Sequence, residues 1–114
     1  QLYYSAEQTA LETAGGIANA LRMLQLLSDS PIFLAVSGDV YTDYDYEQLH
    51  SVADELARAS EPHMHLIMVD NPEFHPQGDF VLHEDGVLYP RDDTHGRALT
   101  FGNIGTSHST TANA

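Results

Sequence analysis

Cysteine is absent from this 114-residue chain, which excludes disulfides and thiolate zinc sites and is compatible with a reducing cytoplasm. Basic residues are scarce: four stand against 17 acids, for a formal charge of −13. That balance argues against nucleic acid or an anionic membrane as partner, whereas a nucleotide remains compatible if magnesium screens its phosphates. No apolar run approaches the length of a membrane span, and Gln1-Leu-Tyr-Tyr-Ser5 carries no signal-peptide pattern. The length fits one small domain that buries roughly two-thirds of its unfolded surface.

The most informative stretch is Ile32-Phe-Leu-Ala-Val-Ser-Gly-Asp-Val-Tyr-Thr-Asp43. Five consecutive apolar residues, Ile32 to Val36, lie between Ser28-Asp-Ser-Pro31 and Ser37-Gly-Asp39, which predicts a short strand covered on both faces. Ligands of open α/β sheets bind just beyond the carboxyl ends of such strands. Asp39 falls there, behind a glycine that permits a sharp turn or a close approach. A lone carboxylate in that place suits a hard cation such as magnesium. It equally suits the capping of a turn.

Leu2-Tyr3-Tyr4 favours β structure, and a strand opening this early predicts a preceding segment. Glu12-Thr-Ala-Gly-Gly16 leads into a helical pattern with Ile17, Leu21, Leu24 and Leu27 on one stripe. Two glycines at a helix entrance let a ligand reach backbone N–H groups, or simply loosen the first turn. Asp45 and Gln48 resemble a capping box before a second helix whose stripe is Tyr46, Leu49, Val52, Ala53 and Leu56. Met64 to Val69 reads as a strand closed by the turn signal Asp70-Asn-Pro72. Strand, helix, strand, helix, strand in this order predicts right-handed crossovers and a parallel sheet. Phe80-Val-Leu82 and Val87-Leu-Tyr89 flank Glu84-Asp-Gly86, a hairpin signal. Ala98-Leu-Thr-Phe101 begins a last strand toward Ile104, and residues 106–114 are expected to be irregular.

Seven histidines raise the question of a metal, since His63 and His65 share one side of a strand and His75 lies in a nearby loop. Neither cysteine partners nor a His-Glu-x-x-His helix supports zinc, and rim histidines are the plainer reading. Ser37 lacks a Gly-x-Ser-x-Gly elbow, so nucleophilic serine chemistry has little support.

Five segments in order carry a resemblance: Leu11-Glu-Thr-Ala-Gly-Gly-Ile17, Phe33 through Asp45, Val69-Asp-Asn-Pro72, Gln77-Gly-Asp-Phe80 and Leu99-Thr-Phe101. Over residues 1–105 the chain resembles the sugar-phosphate nucleotidyltransferase family, with likeness to N-acetylmuramate α-1-phosphate uridylyltransferases and to mannose-1-phosphate guanylyltransferases. The resemblance implies an α/β fold: a partial Rossmann-like core of parallel strands and crossover helices, followed by a β-rich C-terminal portion. It implies that Gly15 and Gly16 pack against a nucleotide base and ribose, with Glu12 and Thr13 at the entrance. By the same likeness Asp39 holds catalytic Mg2+ and Gly78 supplies backbone near the sugar.

The implied chemistry joins a nucleoside triphosphate, UTP by the nearest likeness, to a sugar 1-phosphate and releases pyrophosphate. Relatives in this family also carry a leading Gly-rich loop with basic residues and a later segment with a second metal-binding aspartate. The resemblance to residues 1–105 therefore implies a domain truncated at both ends, with impaired transfer. Exposed sheet edges and helix faces would then favour a homo-oligomer. The alternative is a catalytically inactive remnant that serves as an oligomeric structural or ligand-binding module.

Overall fold

A computed structural model describes residues 2–93 and 95–109. Two helices and five strands are present among them: α1 Thr13–Leu27, β1 Ile32–Val36, α2 Leu49–Arg58, β2 Met64–Val69, β3 Phe80–Leu82, β4 Leu88–Pro90 and β5 Arg97–His108. The strands form one open sheet in the order β1-β5-β3-β4, and β2 also pairs with β5. Where the register is described the pairing is antiparallel, Val81 facing Tyr89 of β4 and Ala98 of β5. The expected parallel Rossmann-like sheet is therefore corrected to a mixed arrangement of helices and antiparallel strands. Its reason is β5: the last strand pairs with β1, β2 and β3, and runs antiparallel to β3. Alternating strand and helix gives the order of elements but not which strand enters later between them.

Contacts divide the chain into two compact units. The first comprises residues 2–34, 43–65 and 106–109. Of the stripe expected in α1 only Leu21 is buried, at 3% exposure; Ile17 is half-buried and Leu24 and Leu27 are exposed. The helix stops where Ser28 turns extended and gives its N–H to the Leu24 carbonyl at 3.0 Å. Asp45 caps a single 3-10 turn, Tyr46–Gln48, by accepting from the Glu47 N–H at 3.1 Å. The turn leads directly into α2, which buries Leu49 and Leu56. Burying a leucine stabilises a fold by roughly 1.5–3 kcal/mol.

The second unit comprises residues 35–42 and 66–105. Val81, Leu99 and Ile104 form its buried apolar set. The hairpin expected at Asp85-Gly86 joins β3 to β4: Gly86 has φ +81° and gives its N–H to the His83 carbonyl at 3.0 Å, while Asp85 accepts from the Val87 N–H at 2.9 Å. Gly96 passes so close to β3 that a Cβ there would lie 2.3 Å from the Leu82 carbonyl oxygen. β5 contains Asn103 at φ +64°, a left-handed residue that interrupts the pleat.

Two expectations for the chain ends differ from what is found. No strand forms at Leu2-Tyr3-Tyr4, whose side chains are exposed. β5 runs on through His108, with Thr106 and Ser107 buried, so the first residues of the expected irregular tail are strand. Residues 110–114 of that tail lie outside the described residues.

Candidate functional site

Asp39 lies in the second unit, at the turn that ends β1. Val40 closes this turn by giving its N–H to the Ser37 carbonyl at 3.4 Å, and a Cβ on Gly38 would meet nothing within 4 Å. The Asp39 side chain is exposed and takes no hydrogen bond or ion pair among the described residues. Geometrically it is an open carboxylate on an accessible turn. Among the described residues no group of three or more His, Asp or Glu is placed to hold a metal ion. Magnesium does not need one, because it commonly takes one or two carboxylates and completes its shell with water and substrate phosphates.

Gly78 also belongs to the second unit and sits at φ +68°. A Cβ there would come within 2.7 Å of both Asn71 Oδ1 and the Leu99 carbonyl oxygen. Around it runs a network that joins three of the five motif segments. Asn71 gives its amide to the Pro76 and Ala98 carbonyls at 3.1 and 3.2 Å, and accepts from the Thr100 hydroxyl at 2.8 Å. Asp79 accepts from the Phe101 N–H at 2.8 Å and meets His75 Nε2 at 3.0 Å. That backbone N–H, followed by His75, holds the Asp79 carboxyl below its ordinary pKa. A signal is present in the sequence: Asp70-Asn-Pro72 announces a turn, and Asn is the turn residue whose amide can bond several carbonyls.

Glu12, Thr13, Gly15 and Gly16 come together in the first unit at the start of α1. Glu12 occupies the N-cap position without a side-chain cap bond, and its carbonyl accepts the Gly16 N–H at 2.8 Å. Glu12 and Thr13 are exposed. Glu7, which belongs to none of the motifs, sits against this turn: its carboxylate accepts from the Leu11 N–H at 3.0 Å, and a Cβ on Gly16 would lie 2.8 Å from Glu7 Oε1. The positive end of a helix favours such an anion. Of the residues expected to meet a nucleotide, Gly16 thus faces a carboxylate of the same chain and Gly15 faces the Leu11 side chain.

No protein-family model matches the chain. Residue by residue, however, 103 positions align at 43% identity with N-acetylmuramate alpha-1-phosphate uridylyltransferase of Neisseria meningitidis serogroup B. The chain is a homologue of part of a uridylyltransferase. The alignment takes in 90% of this chain and 42% of the uridylyltransferase, so the chain spans about two-fifths of that relative's length. The likeness read from the five motifs is borne out at this level. No helix among the described residues is long and apolar enough to cross a membrane.

Proposed function

We propose that the chain carries part of the substrate site of a nucleotidyltransferase that joins UTP to a sugar 1-phosphate. The observation behind this reading is the 43% identity to a uridylyltransferase over 90% of the chain. In the proposed reaction a phosphate oxygen of the sugar 1-phosphate attacks the α-phosphorus of UTP in line. The bond from that phosphorus to the bridging oxygen breaks, and pyrophosphate leaves. Positioning and neutralisation of charge supply most of the rate in such transfers. Asp39 would hold Mg2+, which supplies charge neutralisation at the phosphates when bound. Gly15 and Gly16 would let the nucleotide approach the α1 backbone beside Glu12 and Thr13, and Gly78 would present backbone to the sugar.

Calorimetric titration of UTP with magnesium into the purified chain tests this reading, with Asp39→Asn in parallel. Saturable heat that the substitution weakens by roughly tenfold or more is expected, that being the loss of about 1.4 kcal/mol. Absence of saturation by a well-folded chain would overturn it. A second reading, an inactive ligand-binding module, is favoured by the Glu7 carboxylate against Gly16. It predicts no pyrophosphate release with any triphosphate.

A further inference from the structure

Among the described residues Asn103 alone carries a side chain at positive φ, +64°. Glycine takes that conformation freely, whereas a residue with a side chain stays there only where its surroundings hold the backbone. What Asn103 touches is the head of the Asp39 turn. Its carbonyl accepts the Ser37 N–H at 3.1 Å, and its side-chain oxygen accepts the Ser37 hydroxyl at 3.3 Å. All of these residues lie within the second unit.

Ser37 is the first residue of a four-residue turn in which Asp39 is the third. The bond that closes this turn, from the Val40 N–H to the Ser37 carbonyl, is 3.4 Å long, beyond the usual length of about 2.9–3.0 Å. The turn is therefore fixed less by its own closure than by the bonds that anchor its first residue. Both come from Asn103. One residue earlier, a Cβ on Gly102 would lie 3.1 Å from the Ile67 carbonyl oxygen, so β5 runs tight against β2 just before Asn103 bends it. A left-handed residue that interrupts a strand re-aims its side chain, a device that recurs beside active sites. Here it brings the carbonyl and the side-chain amide of one residue to the carboxyl end of β1.

We propose that Asn103 is a positioning residue for Asp39: it anchors Ser37 and so sets the direction in which the Asp39 carboxylate faces a divalent cation. Asn103 acts through the turn, not by a contact of its own with the cation. The inference rests on the reading of Asp39 as the holder of Mg2+.

The test follows the isotope-labelled full chain by nuclear magnetic resonance in two ways. Amide hydrogen exchange at Ser37 and Val40 reports how often the anchored turn opens. Line broadening by Mn2+, a divalent stand-in for Mg2+ that also takes oxygen ligands, reports binding at Asp39 and should vanish from residues 38–40 in Asp39→Asn. Asn103→Gly keeps the left-handed backbone without the side chain, and Ser37→Ala removes the hydroxyl. Each should speed exchange at Val40 by about two- to tenfold, the weight of one hydrogen bond, and raise the Mn2+ concentration for half-broadening by a similar factor. The double variant should add little, since both changes delete the same bond. Asn103→Asp keeps an oxygen for the Ser37 hydroxyl and tolerates positive φ, so its exchange should stay close to native. Native exchange in Asn103→Gly or in Ser37→Ala would overturn the proposal. So would faster exchange with an unchanged Mn2+ midpoint, because Asp39 would then not depend on the turn. Absence of any Mn2+ effect around Asp39 in the native chain would instead overturn the magnesium reading, and this inference with it.

Discussion

Asp79 ties β5 to the loop before β3 through one side chain, with Phe101 N–H on one oxygen and His75 on the other. Both partners favour the ionised form and lower its pKa. A carboxylate whose pKa is lower in the folded state stabilises that state fully above the unfolded value, here 3.8, and loses the contribution as pH falls through the lowered value. Asp93 follows the same sign, held down first by the His95 N–H and then by His83. Acidification from pH 6 to pH 3 should therefore lower the urea midpoint of the native chain. Asp79→Asn should shrink that difference, and a difference as large as the native one would show that the carboxylate does not couple to folding. The place of Asp39, in the turn that ends β1, was legible because a strand, a glycine and an acid stood in sequence. Glu7 was not, and of Asn71 only the turn was, because the contacts of each depend on how the chain turns back.

At the scale of elements, periodicity found what is local. Ile32–Val36 and Met64–Val69 form strands at the positions that their apolar runs marked, and Asp85-Gly86 turns the hairpin as its chemistry required. Pairing was not legible, since nothing in either run states that β5 joins both. The end of β5 was misread because Thr106-Ser-His108 is small and polar, and burial of Thr106 and Ser107 outweighs propensity there. Gly96 carries a sharper requirement than its setting in a polar stretch indicated. Gly96→Ala places a methyl against backbone and side chain of β3 and should cost about 1–3 kcal/mol, visible as a lower urea midpoint. Gly78→Ala adds a positive φ to similar overlaps and should cost at least as much. An unchanged midpoint in either variant would mean that the adjoining loop yields freely.

For the molecule as a whole, composition acts chiefly through charge. At −13 the folded chain works against its own repulsion, which salt relieves as the Debye length shortens from about 30 Å at 0.01 M to about 8 Å at 0.15 M. The thermal midpoint should rise over that interval, and a fall would show that ion pairs such as Arg97 with Asp70 outweigh the general repulsion. The same excess of acid has a local form in Glu7. Short flexible tethers hold a group at an effective concentration on the order of millimolar, and Glu7 stands nine residues before Gly16, with its carboxylate already bonded to the Leu11 N–H. An anion drawn to that turn does not enter free space; it displaces a tethered rival, and its apparent affinity is scaled down by the share of time the rival is away.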